Sequence, residues 1–124
     1  MSPMQGYPAG RTALLFVDPY NDFLAEDGKL WPLVADIARS VDLHAHLRTV
    51  VSCVRQAGLP VFIVPHHRSE PDDFKGWDHP TPYQLGAARV QPFAKDSWGG
   101  EWHPDFAPQP GDIIAKEHWG GSGF

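Results

Sequence analysis

The stretch Thr12–Phe23, TALLFVDPYNDF, constrains this chain more than any other. Five apolar residues in succession, Ala13 to Val17, run straight into Asp18-Pro19. An apolar run of that length, without polar alternation, suits a strand buried on both faces, as in a parallel sheet covered by helices. Pro19 has no N–H to give to a ladder, so the strand stops there. Asp18 then stands at the carboxyl edge of the sheet, where open α/β folds bind their ligands. A carboxylate in that place is a candidate for proton chemistry.

The next segments complete a unit around that strand. Pro19–Trp31 is rich in turn formers, among them Asn21, Asp22, Asp27 and Gly28. Leu33–Ser40 reads as a short helical piece. Over Asp42–Ala57 the spacing predicts a longer helix, with Leu43, Leu47, Val50, Val51 and Val54 on one face. Asp42 suits its N-cap and Gly58 the position just past its end. Val61–Val64 follows within three residues as a second buried strand, so strand, helix and strand form a right-handed βαβ unit. This strand also meets a proline, Pro65, and delivers His66, His67 and Arg68. A third short strand is expected in Gly111–Lys116, followed by Glu117, His118, Trp119 and a glycine-rich tail.

Between the second and third strands the texture changes. His66–Gly111 holds seven prolines and three tryptophans, Trp77, Trp98 and Trp102, and only Pro82–Val90 has room for two helical turns. A structureless stretch that long is usually a functional cover, and its aromatics want burial. It is expected to be an ordered lid over a pocket or a subunit contact. Trp102 suits packing of the lid, and Trp98 either packing or a pocket wall.

Composition narrows the partners. A length of 124 residues suits one domain, and 42% hydrophobic with 20% charged residues is globular. The net charge of −5, with lysines and arginines scattered, offers phosphates no basic stripe, so nucleic acid is excluded as a partner. No apolar run approaches the roughly 18–20 residues of a membrane span. Met1–Gly10 has neither the basic start nor the apolar core of a signal peptide. A single cysteine cannot form an internal disulfide, which fits a cytoplasmic location.

Parallel strands bring their carboxyl ends to one rim, and here they deliver Asp18, the His66-His67-Arg68 group and Lys116. One reading of this pattern is structural, with Asp18 and Lys116 either an ion pair or each merely solvated at a strand end. The other is a reactive pair, in which the ammonium keeps Asp18 ionised as a base and lowers the pKa of a thiol beside both. Cys53 is a poor candidate for that thiol. It falls late on its helix, where the dipole disfavours a thiolate, and toward the far edge of the sheet. It reads as an inert packing residue. His66, His67, Asp78 and His79 suggest a metal, but adjacent histidines at a strand end point apart, so no metal site is expected.

Together TALLFVDPYNDF, RQAGLPVFIV and PGDIIAKEHWGGSGF resemble the isochorismatase-like cysteine hydrolases, over nearly all of the chain after residue 10. The resemblance implies a three-layer α/β/α fold, with this chain supplying about the first three strands of a Rossmann-like six-stranded parallel sheet. It implies one domain over residues 1–124 that is incomplete at its C-terminus, because the family's nucleophilic cysteine lies further on. Such a truncation leaves Ala13–Val17 as a naked apolar edge that invites pairing or aggregation, and the 124 residues alone are expected not to form a stable monomer. By resemblance Asp18 and Lys116 are catalytic, and Phe23 matches the aromatic that follows in the family's pattern. Tyr20, Phe23, Trp98 and His118 are the candidate substrate-binding residues, with His118 either orienting a substrate carbonyl or capping a loop. Tyr20 stands where the family usually has glutamine, and no Asp-x-His metal motif ends the second strand. The implied activity is hydrolysis of a small amide-type substrate, without a cofactor, by a homo-oligomer. Vinyl-ether hydrolysis with Asp18 as acid, and a non-catalytic homologue, are the alternatives.

Overall fold

A computed structural model describes residues 6–119, and its centre is a three-stranded parallel sheet in the order β1 (Leu14–Val17), β2 (Val61–Val64), β3 (Ile113–Ile114). Leu14 pairs with Val61 and Val17 with Val64, while Phe62 pairs with Ile113 and Ile63 with Ile114. The helices are α1 (Asn21–Leu24), α2 (Trp31–Ser40), α3 (Leu43–Gln56) and α4 (Pro82–Val90). The fold is therefore α/β, with a parallel sheet and a helical crossover.

Helix α3 forms for the reason its spacing predicts. Leu47 and Val54 pack on a core of Phe16, Val61, Ile63 and Phe106, and Val51 is buried with them. Burying a side chain such as Ile63 contributes about 1.5–3 kcal/mol. The helix ends in a Schellman motif. The Gly58 N–H donates to the Arg55 carbonyl and the Leu59 N–H to that of Val54, with Gly58 at φ +72°. Its start differs from expectation. Asp42 is left-handed, at φ +52°, and its side chain caps nothing; it closes the tight turn out of α2 instead. Val50 is 46% exposed, so the apolar stripe is wider than the buried face.

The first strand is not buried on both faces. Phe16 faces the core, but Leu15 and Val17 are 55% and 52% exposed, because β1 is an edge strand and α3 covers one face of the sheet only. An open apolar groove of about 440 Å³ runs along this edge, between Leu15, Val17, Phe23, Val34 and Leu43. On the opposite side, the Arg55 guanidinium pairs with the buried Asp112 carboxylate and ties the end of α3 to the entry of β3. Among the described residues no helix is long and apolar enough to cross a membrane.

The segment between β2 and β3 is ordered, as its aromatics require. It contains α4 and two short 3-10 turns, Trp98–Gly100 and Pro104–Phe106, and its Phe106 lies across Phe16 with ring centroids 5.2 Å apart.

Candidate active site

The site begins with the backbone at Asp18. Its N–H donates to the Val64 carbonyl, extending the β1–β2 ladder by one step, and then the chain turns sharply at φ +56°. A non-glycine residue in that region costs on the order of 1–3 kcal/mol, and such strain collects at functional sites. Its neighbour Pro19 is fully buried, which holds the turn. The Asp18 side chain is thereby carried out of the sheet to the rim.

At the rim, register places Asp18, Pro65 and Lys116 level on the three strands, since Val17 pairs with Val64 and Ile63 with Ile114. Two interstrand steps separate β1 from β3 by about 10 Å. Beyond Lys116 the register slips by one residue, and His118 rather than Glu117 pairs with His66. Such a bulge re-aims the side chains around it. In consequence His118 is the residue that meets Asp18, with Nε2 at 3.2 Å from Oδ1. Lys116 is exposed and makes no ion pair among the described residues. The contact expected of Asp18 with Lys116 is thus occupied by histidine.

The His118 contact has a chemical consequence. Its Nδ1 lies 3.1 Å from the Trp119 carbonyl, so both ring nitrogens face oxygen acceptors. A neutral imidazole carries one N–H. Asp18 and His118 form a hydrogen-bonded pair at the strand ends.

Next to this pair a crevice opens beneath α4. Its inner lobe, about 370 Å³, is walled by Asp18, Phe23, His66, Tyr83, Val90 and Phe93, among others. An outer lobe of about 590 Å³ continues past the shared residues His66, Tyr83 and Ala87 to Phe74, Trp77 and Trp119. A larger polar hollow of about 800 Å³ lies elsewhere, around Arg68, Glu70, Lys95 and Glu117. Asp18 is not in its walls, and its two cations are already paired, Arg68 with Glu117 at 2.8 Å and Lys95 with Glu70 at 3.2 Å. Burial there works to raise the Glu117 pKa, but the Arg68 backbone N–H and guanidinium outweigh it and hold the carboxyl below its ordinary range.

The other residues expected at the site divide. Phe23 lines the inner lobe and also reaches the groove beside β1. Tyr20 corrects the reading of it as a pocket wall. It is 0% exposed, stacked on Trp102 at 5.0 Å, and its hydroxyl donates to the His66 carbonyl at 2.8 Å. Burial pushes its phenol far above the ordinary range, so it remains a donor. Trp98 is half-exposed and outside the crevice walls, and its carbonyl accepts from the Asn21 side chain at 2.9 Å. Cys53 is exposed rather than packed. Of the residues that suggested a metal, His67 alone falls in a group of possible ligands, with Glu70 and Asp73. Within that group His67 bonds to Asp73 at 2.9 Å, and Glu70 pairs outside it with Lys95.

Sequence reasoning missed the residue that assembles the crevice. Asp22, read as a turn former, is 2% exposed, and its carboxylate accepts the Lys29 N–H at 3.1 Å and the Phe93 N–H at 2.8 Å. Phe93 is itself left-handed, at φ +53°, a rare conformation for a bulky residue. The Asp22 bond holds it there, and its ring then packs on Tyr20 and His66 at 4.7 and 5.2 Å. Gly99 completes the arrangement, because a Cβ at that position would collide with the Asp22 carboxylate.

The chain is similar to known proteins over most of its length. The chain is 26% identical over 128 residues to ureidoacrylate amidohydrolase RutB of Pantoea ananatis (strain LMG 20103), covering 88% of this chain and 48% of the relative. Among solved structures it is similar to N-carbamoylsarcosine amidase from Thermoplasma acidophilum, with 25% identity and a TM-score of 0.49 over 82% of this chain and 49% of that one. The chain thus spans about half the length of each of these relatives. A model of the isochorismatase domain matches residues 12–124, and the chain belongs to that family.

Proposed function

We propose that the protein of which this chain is part hydrolyses a small amide-type substrate, with Asp18 as its proton-transfer group. The observation that carries this reading is the strained Asp18, turned out of the sheet beside a crevice and paired with His118. Membership of the family and the amide-hydrolysing name of the ureidoacrylate relative support it.

In this mechanism Asp18, held by its contact with His118, accepts the proton of a cysteine thiol. The thiolate attacks the amide carbonyl, the amine leaves with a proton, and water then releases the acid from the acyl-enzyme. Lys116, level with Asp18 on the rim, supplies positive charge for the ionised pair and the developing oxyanion. The attacking thiol is not Cys53, which sits near the C-terminal end of α3 and lines neither lobe. It comes from outside these 124 residues.

The test is turnover of a panel of small amides by the full-length protein. Asp18→Asn should lower kcat by at least about 10²-fold, the scale of a lost general base. Lys116→Ala should lower it as well. Full activity in both variants overturns the assignment. Alkylation in a Cys53→Ser background then separates the chemistries, inactivation supporting the thiol route and indifference the vinyl-ether route.

A further inference from the structure

The polar hollow does not touch Asp18, yet its Arg68–Glu117 pair sits on the slip that brings His118 to Asp18. On β3 the Ala115 N–H donates to the Ile63 carbonyl at 2.9 Å. A parallel ladder continued in that register would next join the Glu117 N–H to the Pro65 carbonyl. The Pro65 carbonyl instead accepts the His118 N–H at 2.9 Å, and the His118 carbonyl accepts the His67 N–H at 2.7 Å. Glu117 is thus the extra residue, left out of the ladder. Arg68 holds its side chain, since Oε2 accepts the Arg68 backbone N–H at 3.1 Å and Oε1 accepts from the guanidinium at 2.8 Å. Charge-assisted bonds of this kind are about twice as strong as neutral ones. Arg68 is fixed in turn from its other side. Its Nε donates to the Gly100 carbonyl at 2.7 Å, and its guanidinium carbon lies 4.9 Å from the ring centres of both Tyr20 and Trp102. Those rings are stacked and Tyr20 is fully buried, so the hold is anchored in the packed interior.

Resting on the amide-hydrolase reading, we propose that Arg68 and Glu117 are positioning residues, which hold the slipped register after Lys116 and so keep His118 on Asp18. In the unslipped register Glu117 would take the place of His118 and set a second carboxylate beside Asp18. His118 would turn to the other face of the sheet. Tying the Glu117 carboxylate to Arg68, on the side of the polar hollow, removes that alternative. Neither residue walls the two lobes of the crevice, so both act through His118 and not on the substrate.

The test uses the full-length protein, with Glu117→Gln and Arg68→Lys as two independent ways of loosening the hold. Both side chains are partly exposed, and circular dichroism checks that each variant folds; either one decides alone if the other does not. Lys95→Met, which breaks the neighbouring Lys95–Glu70 pair, is the control. With ring-labelled histidine, the His118 magnetic resonance signal, assigned by its loss in His118→Ala, should move in both variants and stay in place in Lys95→Met. Against the amide panel each variant should lower kcat on the order of tenfold with KM changed less than about twofold, as lost geometry does. Lys95→Met should keep the wild-type kcat. In a His118→Ala background Glu117→Gln should cause no further loss, because its effect runs through that ring. An unmoved His118 signal, a wild-type kcat, or an equal further loss in the double variant overturns the proposal, while amide turnover by the wild type leaves the amide-hydrolase reading intact. A moved His118 signal, with no amide hydrolysed by any form, upholds the hold on the register and overturns the enzymatic reading.

Discussion

The βαβ unit from Leu14 to Val64 and the cover from Ser69 to Asp112 are held in place by opposite means. The first is assembled by apolar period. Phe16, Val61 and Ile63 meet Leu47 and Val54, and the helix ends where Gly58 allows it to end. The second packs Phe106 and Trp102 on that core and is pinned elsewhere by polar groups at separate points. Asp22 accepts the Phe93 N–H, Ser69 donates to the Pro92 carbonyl at 2.7 Å, and the Asn21 amide holds the Trp98 carbonyl. Apolar packing tolerates small shifts, whereas a buried carboxylate with two backbone donors fixes positions to within a few tenths of an ångström. The crevice lies where the two regimes meet, with strand ends from one and Phe93 and α4 from the other.

Three substitutions and a titration test this contrast, in descending order of effect, all on the full-length protein. Ile63→Ala, in the packed region, should cost about 2–5 kcal/mol in chemical denaturation and weaken the whole fold. Asp22→Ala leaves the buried Phe93 N–H and the part-buried Lys29 N–H without their acceptor. It should cost about 2–4 kcal/mol, about 1–3 kcal/mol for the buried Phe93 donor and about 1 kcal/mol for the part-buried Lys29 donor. Hydrogen exchange should show the loss at Lys29 and Phe93 first, with Ile63 still protected. Equal loss at Ile63 would mean that cover and sheet form one cooperative unit, and the contrast would fail. Thr81→Ala removes the capping box in which Thr81 accepts the Gln84 N–H and Gln84 accepts that of Thr81. It should cost about 1 kcal/mol and fray α4 alone.

The smallest effect is a pH dependence. Burial holds the His103 pKa below its ordinary value, outweighing the nearby Asp105, and its Nδ1 accepts the Asp105 N–H. The unfolded chain therefore binds this proton more readily than the folded one. Stability should fall as pH drops from the ordinary histidine value toward the depressed one, and be unaffected by His103 at higher pH. His103→Gln should flatten that limb in urea titrations across weakly acidic pH.

The contrast also explains how much was legible in the chain itself. Strands with unbroken apolar runs, the α3 stripe and the Gly58 stop were all readable, because each is a local pattern that meets its partner by period. The exposed face of β1 was not, since Leu15 and Val17 look the same in sequence whether or not a layer covers them. Asp22 was visible only as a turn former, for its partners Lys29 and Phe93 lie 7 and 71 residues away in sequence. The encounter of His118 with Asp18 depends on a one-residue slip after Lys116 that no residue type announces. The Thr81–Gln84 signature, by contrast, was available and passed over.

The exposed thiol of Cys53 carries a practical lesson. As the sole cysteine of these 124 residues, standing in solvent near the C-terminal end of α3, it offers a ready attachment point for a dye or spin label whose tether stays clear of the crevice. The same accessibility lets two molecules cross-link in air. Mass determinations made without reductant would then mistake a covalent pair for a native assembly.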